Sequence, residues 1–413
     1  MDDISKLLRE LSRDNLVKVS RSDDVYKNMK NQKLIANYYN SEYKKIFQRN
    51  SIEGSSPTEI FIGRFGYPKV SIGPLVSPFS KSSELLGNPA LWKNLSIDKI
   101  VKLRFQLIRG MHTVGINDVE KGKIAESIRD LALSDKSAYS DLDYTEKPIR
   151  NMSMERFAAP FGPTLKFNKF QTFNSTSNKQ LEKLYSDVDA KASTAITELY
   201  ENKVDIYKIQ KGISAGLFGL KNKRKFVPTR WSITMVDSTI SKSKLQKIRE
   251  YDKIDHPLVF FSNLLDTRWV ILMFPCNWEY EVIEAWYPKS SWNTDPNKIS
   301  IESSYESYRG RSTYAEITGS YYAARLMVAD FLDKIKKQAQ VIILREVHEG
   351  YNLPVGVWNV REHVKQTLES KEINLDELSD IFRFINSKLD LNLNEWIKNS
   401  KILTDKIKQR KLF

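Results

Sequence analysis

The chain of 413 residues contains one cysteine, Cys276. An intrachain disulfide is therefore impossible, and so is a zinc site built from a cysteine cluster. A reducing compartment suits this count. Cys276 ends the apolar run Val270-Ile-Leu-Met-Phe-Pro-Cys276, where it reads as a small buried hydrophobe rather than a nucleophile. Histidine is almost as scarce: His112, His256, His348 and His363 are the whole set. No two of them stand at the i, i+4 spacing of a helical metal site, so no metal site is expected and the cofactor is left unknown. Long apolar runs are absent too. No segment approaches the roughly 18 consecutive apolar residues of a membrane helix. The opening Met1-Asp-Asp-Ile-Ser-Lys lacks a signal peptide's apolar stretch. The expectation is a soluble cytoplasmic protein, nucleoid-associated and without a membrane partner.

Acidic residues are outnumbered. Lys plus Arg total 65 against 51 Asp plus Glu, a formal net charge of +14. A basic surface concentrates polyanions, which makes nucleic acid the first partner to consider; solubility alone is the plainer explanation. With 41% hydrophobic and 28% charged residues, the chain has material for a large core and no signature of wholesale disorder.

Periodicity divides the chain. Residues 1–55 are Lys-, Asn- and Ser-rich and read as a helical N-terminal extension. Residues 57–80 are punctuated by Gly63, Gly66, Gly73, Pro68, Pro74 and Pro78, the composition of a tight irregular loop. Apolar spacing predicts helices over 96–110, 120–135 and 178–201. Trp231–Asp237 alternates with period two and is rich in β-branched residues, the pattern of a strand, with a helix over 239–251. Strands are expected at Leu258–Phe261, Trp269–Phe274, Trp278–Trp286 and Val341–Val347. The clearest helix spans 313–337, where Ile317, Tyr321, Ala324, Val328 and Phe331 recur every three to four residues. Further helices are expected near 360–370 and 374–393, then a loose basic tail over 398–413. No βαβ rhythm is present, so the expected class is α+β: helices around a largely antiparallel or mixed sheet, not doubly wound. The body is taken as one unit, residues 56–397.

Four stretches are dense in Gly, Pro, Arg and aromatics: Ser56–Leu75, Phe218–Asp237, Arg311–Arg325 and Leu353–Glu362. In this order they resemble the archaeal NreA family, which is linked to DNA repair. The resemblance runs from about Ser56 onward. Some members of that family carry an N-terminal cysteine cluster for zinc; with Cys276 alone, this chain resembles a branch without it. The ending Gln409-Arg-Lys-Leu-Phe413 resembles the short peptide by which family members dock on the sliding clamp, PCNA. Physically, Gln409 can hydrogen-bond at a pocket rim while Leu412 and Phe413 fill it. The surrounding lysines add steering. A frayed end that happens to finish in Leu-Phe is the plainer alternative.

Candidate site residues follow from charge and context. Between Lys208 and Arg230 lie seven basic residues and no acidic one. Lys221, Lys223, Arg224, Lys225 and Arg230, beside Gly212, Gly216 and Gly219, form the best nucleic-acid or nucleotide segment, against the usual solvated loop. Arg64, Lys69, Arg325 and Arg361 sit in the other boxes. Arginine in apolar company needs a carboxylate or a phosphate, so internal pairing and a ligand are both open. One hypothesis gathers Arg64, Arg230 and Arg325 around a phosphate. Asp237 and Glu316 are the acids that could serve catalysis, although a salt bridge suits such residues equally well. The function implied is a DNA-repair protein that docks on the clamp and binds DNA or a nucleotide through an Arg/Gly-rich pocket. The alternatives are an enzyme processing DNA ends, adducts or nucleotides, or a non-catalytic clamp adaptor.

Overall fold

The structure, a computed structural model, describes residues 43–48, 50–79, 84–144, 146, 153–173, 175–293 and 295–410. Most of the expected N-terminal extension lies outside them, as do Leu412 and Phe413. The described residues form two compact units that part between Ile240 and Ser241. The sequence shows no linker at this point because the boundary falls inside a helix, Thr229–Ile248.

The first unit is built on a six-stranded sheet. Its strands are β1 (Ser51–Ser56), β2 (Ile60–Ile62), β3 (Lys69–Val76), β4 (Ile108–Gly115), β5 (Ala138–Tyr144) and β6 (Thr164–Phe173). Their order is β1-β5-β6-β4-β3-β2. Every pair is antiparallel except β4 with β6. The Gly/Pro-rich stretch expected to be a loop thus contains two strands. Its glycines allow close approach as well as turning: a Cβ on Gly73 would lie 2.0 Å from the Gly110 carbonyl of the neighbouring β4. Strand β1 pairs with β5 from Ser51 to Ser56, so the sheet begins inside the region assigned to the N-terminal extension.

Helices α1 (Ile97–Phe105), α2 (Gly122–Leu133), α3 (Lys179–Ser186), α4 (Ala192–Glu201), α5 (Ile206–Ser214) and α6 (Thr229–Ile248) accompany this sheet in sequence. The single helix expected over 178–201 is broken after Ser186. Asp187 turns the chain there by accepting from the backbone N–H of Asp189 and Ala190. Trp231–Asp237 is helical, not a strand. All residues from Trp231 to Ser238 are buried, so no exposed stripe marks the helical period. Its Ser232 and Thr234 hydroxyls bond back to the carbonyls of Thr229 and Arg230, which lets polar side chains sit inside.

The second unit holds a five-stranded sheet of β7 (Leu258–Leu264), β8 (Thr267–Phe274), β9 (Glu279–Trp286), β10 (Ser300–Glu306) and β11 (Gln340–Val347). The order is β10-β9-β11-β8-β7, with β9 and β11 parallel and the other pairs antiparallel. Both sheets mix parallel and antiparallel pairs and neither is doubly wound, which fits the α+β class. Helices α7 (Gly319–Ile335), α8 (Trp358–Leu368), α9 (Leu378–Lys388), α10 (Leu393–Asn399) and α11 (Lys401–Arg410) complete this unit. One core joins Val259, Val270, Leu272, Ile283, Ile342 and Leu344 of the strands to Ile381, Ile385, Trp396, Ile402 and Leu403 of the last three helices. The segment expected to be a loose tail is therefore helical to Arg410 and anchored by Ile402 and Leu403.

Strand β9 also holds that helix by its start. Glu281 accepts from the Ser400 hydroxyl at 2.6 Å and from the backbone N–H of Lys401 and Ile402 at 2.8 and 3.1 Å. These are amide donors that a helix N-terminus leaves without partners. Burial pushes the Glu281 carboxyl up, against these three hydrogen bonds.

The third and fourth boxes build the interior of this unit. Glu306 pairs with Arg325 at 2.5 Å and accepts from Trp278 and the Tyr321 hydroxyl. Burial alone would raise the Glu306 carboxyl, but Arg325 and these donors bring it below its ordinary value. Arg345 pairs with Glu284 at 2.8 Å and reaches Asn359 of α8 at 3.3 Å. His363 is buried edge-on to Trp269, and burial together with nearby Arg345 pushes its imidazole down to about 3.

Two outcomes are expected. Glu281→Gln, which loses a charged acceptor, costs about 1–3 kcal/mol and strips hydrogen-exchange protection from the Lys401 and Ile402 amides; full protection in the variant would contradict the capping role. The second concerns pH. The folded His363 pKa lies below the unfolded value of about 6.5, so the unfolded chain binds the extra proton. Its stability contribution is intact above about 6.5 and is lost as pH falls toward 3, by a few kcal/mol in order of magnitude. Urea midpoints of His363→Phe should fall less steeply between pH 6 and 4; parallel curves would assign the acid sensitivity elsewhere.

Candidate nucleic-acid interface

The first two boxes meet in the first unit. Strands β2 and β3 are closed by the turn Gly63–Pro68, in which Gly63 N–H donates to the Ser71 carbonyl at 2.8 Å and Lys69 N–H to that of Gly66 at 2.9 Å. Gly66 has φ +83°, a conformation that favours glycine. The base of this hairpin is tied to the start of α6: Ile62 N–H donates to Thr229 Oγ1 at 2.9 Å. The tip is tied there as well, because the Tyr67 ring lies 5.2 Å from that of Trp231. Burial against its surroundings raises the Tyr67 phenol.

What the turn presents is aromatic and basic. Phe65 is 69% exposed and Tyr67 42%. The Arg64 guanidinium lies 4.8 Å over the Phe65 ring. Lys69 is exposed. On α6, next to the Thr229 anchor, Arg230 lies 4.2 Å over Phe157. An exposed ring has a face on which any base can stack, and cations at its flanks can meet the phosphates. Arg64, Lys69 and Arg230 are thus brought to one neighbourhood of the first unit.

The remaining candidates are distributed differently. Lys221 and Lys223 are exposed on a single 3-10 turn, and Lys225 is half-buried. Arg224 is buried; its Nε donates to the Gly219 carbonyl and its Nη2 to that of Asp187, both at 2.9 Å. It braces this loop from within. Gly216 and Gly219 take φ +72° and +111°, so both serve backbone turns. Lys208 is engaged by Asp135 at 2.6 Å. Arg325 and Arg361 are buried in the second unit, where Glu306 answers the charge of Arg325.

The proposed acids also differ from expectation. Asp237 does not end a strand; it is fully buried within α6 and accepts from Gln210 Nε2 at 3.2 Å. Glu316 accepts both Arg311 Nη2 contacts at 2.8 Å and the Ser304 hydroxyl at 2.8 Å. Burial would raise its carboxyl, and those bonds outweigh it and lower it. Glu316 is a carboxylate at neutral pH, unsuited to donating a proton. Glu346, His348 and Asp390 place ligand atoms within 4.8 Å of one another. Arg268 already supplies the cation there, 2.5 Å from Asp390 and 3.7 Å from Glu346. Gly212-Ile-Ser214-Ala-Gly216 has the spacing of a hydrolase nucleophile elbow. Ser214 is nevertheless buried at the end of α5, and its hydroxyl donates to the Val227 carbonyl at 2.7 Å.

Sequence reasoning missed Arg109, the second residue of β4, which lies over Phe61 and Phe161 with centroid distances of 4.2 and 5.7 Å. The available signal was an arginine inside the apolar strand Leu107-Ile-Arg-Gly-Met111 with no acid nearby in sequence. It was hidden by lying outside the four boxes.

Comparison with known proteins gives the wider setting. A family model described as archaeal Nre, N-terminal, matches residues 32–293, and one described as archaeal Nre, C-terminal, matches residues 306–413. The chain is 36% identical to DNA repair protein NreB of Archaeoglobus fulgidus, over 87% of this chain and 90% of that one. It is 33% identical to DNA repair protein NreA of the same organism, over 82% and 85% of the two chains. DNA repair protein NreA of Haloferax volcanii is 29% identical over 88% and 89%. No solved structure matches the chain. With both family models matched in order and these relatives covered over most of their length, the chain belongs to the archaeal Nre family.

Proposed function

We propose that this chain is a DNA-repair protein that grips exposed or single-stranded DNA through the β2–β3 turn and docks on the sliding clamp through Gln409, Leu412 and Phe413. The observation that carries the DNA reading is the exposed turn itself. Phe65 at 69% and Tyr67 at 42% exposure share one short turn, so their aromatic faces stand together where a base can reach them. Here they are held on a braced hairpin and flanked by Arg64 and Lys69. Every base offers a stacking face, so such a platform takes DNA without reading its sequence. The names of the relatives, which are DNA repair proteins, agree with that partner. The clamp reading rests on the terminal Gln-Arg-Lys-Leu-Phe sequence, whose apolar end suits a small pocket. Docking there would hold the chain near replicating DNA and raise its local concentration.

Fluorescence anisotropy with a labelled single-stranded oligonucleotide tests the first part. Phe65→Ala should weaken binding about 5- to 150-fold, the equivalent of about 1–3 kcal/mol for one stacked base. Arg64→Ala or Lys69→Ala should each lower the salt dependence by about 0.7 in log–log slope, one phosphate contact apiece. Unchanged affinity in all three would remove the turn from the interface. Deleting Gln409–Phe413 tests the second part independently: clamp binding measured by surface plasmon resonance should vanish while the thermal unfolding midpoint is kept, and undiminished clamp binding would remove the peptide from the argument.

A further inference from the structure

The sheet of the first unit returns on itself. Strand β1 pairs with β5, β5 with β6, β6 with β4 and β4 with β3. Ser77, the residue after β3, then meets β1 again: its N–H donates to the Ser55 carbonyl at 2.9 Å, and the Ser55 N–H donates to the Ser77 carbonyl at 3.1 Å. Strand β2 continues β1 beyond a bend at Thr58, where φ is +58°, and runs antiparallel to the same β3. Strands β1 and β2 thus act as one bent strand. The circuit β1-β3-β4-β6-β5-β1 is that of a five-stranded Greek-key barrel, with β4 and β6 its parallel pair and α2 between β4 and β5. Where such barrels bind oligonucleotides, the ligand lies on the outer face of the second and third strands, beside the first hairpin turn and the loop between the last two strands. The second and third strands here are β3 and β4, and the first hairpin turn is Gly63–Pro68. Topology alone assigns no ligand, so the side chains on that face decide.

On β3 the exposed Lys69 and half-buried Ser71 alternate with the buried Val70 and Ile72. On β4 Thr113 is exposed and Met111 half-buried; on β6 Lys166 is exposed between the buried Leu165 and Phe167. Ser71 stands opposite Thr113, and Met111 opposite Lys166, so these residues share the outer face. Charge is divided around the barrel. Strands β3, β4 and β6 hold Lys69, Arg109, Lys166 and Lys169 and no Asp or Glu. Glu53, Asp141 and Asp143 are gathered on β1 and β5, with Glu53 opposite Asp141. Burial, and then Asp143 and Glu53, push the Asp141 carboxyl up. A polyanion is drawn to the first flank and repelled by the second. Lys166 meets Glu146 at 3.0 Å with both side chains about three-fifths exposed, a pair that water screens and a phosphate can replace. Elsewhere the outer face is covered: Phe61 and Phe161 lie over Arg109, and the Gly63 backbone packs on Ser71. What stays open runs from Phe65 and Lys69 across Thr113 and Met111 to Lys166, roughly 10 Å from β3 to β6 at the ordinary strand spacing.

We propose that this outer face of β3, β4 and β6 is a path for single-stranded DNA. One base stacks on Phe65, the chain crosses Thr113 and Met111, and its phosphates meet Lys69 and Lys166. A duplex keeps its bases stacked on each other, so it cannot give one to Phe65 without opening. That the polymer is DNA rests on the reading of the turn; the position of the path rests on the barrel and its charge.

The test uses the full chain and fluorescence anisotropy with a labelled oligothymidylate and a duplex of the same length. At equal salt the single strand should bind roughly tenfold more tightly or better; equal affinities would overturn the proposal. Thr113→Glu, which sets a carboxylate on the open face, should weaken single-strand binding roughly tenfold. Lys166→Gln should lower the log–log salt slope by about 0.7, one phosphate contact on a single strand. Gln171→Glu adds the same charge as Thr113→Glu but opposite Asp141 on the acidic flank, and should change affinity by less than about twofold. All three positions are exposed, and the thermal unfolding midpoint verifies that each variant is folded. Equal losses in Thr113→Glu and Gln171→Glu would overturn the path, because the overall field would then suffice. Full affinity in both Thr113→Glu and Lys166→Gln would overturn it as well. Phe65→Ala separates the path from the turn. Weak binding in Phe65→Ala with full affinity in Thr113→Glu would keep the turn and discard the path. Weak binding in Thr113→Glu with full affinity in Phe65→Ala would keep the path and discard the turn as a stacking platform.

Discussion

A guanidinium taken out of water has to be met by opposite charge or by enough oxygen atoms to replace its hydration. Both units depend on how this is done. In the second unit Arg325 and Arg345 are threaded through aromatic layers, and Glu306 and Glu284 meet them. The donors of Trp278, Tyr321 and Trp286 fill out the carboxylates. In such a network each member is held because every other one needs it, so the geometry of β9, β10, β11 and α7 is specified together. Net stability is not the argument, since apolar replacements of buried pairs are often no worse. What the network supplies is a single arrangement of strands that would otherwise be uniformly apolar.

The same requirement distinguishes scaffold from surface in the first unit. Arg104 and Arg224 are consumed by partners inside the fold, and their role is bracing. Arg64 and Arg230 lie against aromatic rings, contacts that help to fix a cation's position. The turn between β2 and β3 is held at its base by Thr229 and at its tip by Trp231, so its aromatic faces are pre-positioned. A ligand that stacks there spends less of its binding energy on ordering the loop.

The parts of this arrangement that were legible in sequence were those with a strong period or a composition signal. The strands from Leu258 to Trp286 and β11 were readable because β-branched and aromatic runs of that length suit little else. The mixed α+β class followed from them. Trp231–Asp237 misled, because a helix buried all round shows no stripe and its Ser and Thr residues imitate the alternation of a strand. The glycines of the first box suggested turns, although Gly73 is needed for close strand approach and Gly63 for close approach to Ser71 and Arg109. Arginine partners were not legible at all. Glu306 lies 19 residues from Arg325 and Glu284 lies 61 from Arg345, and only the folded topology brings them together. For that reason the sequence could offer a pocket of three box arginines while Arg109, buried with no carboxylate in contact among the described residues, stood outside every box.

The proposed clamp-docking peptide starts within helix α11, which carries Gln409. Ile402 and Leu403 bury the first turn of α11 in the core, and Glu281 fixes its N-terminus. A helix of ten residues rises roughly 15 Å, so the terminal Leu412 and Phe413 follow a stiff element that starts from a fixed point. A flexible leash of the same length would sample many positions and dilute its own effective concentration at a pocket. A short stiff lead narrows that search. Under the proposed clamp docking, the affinity of the peptide is coupled to the capping of α11 by a buried carboxylate on β9.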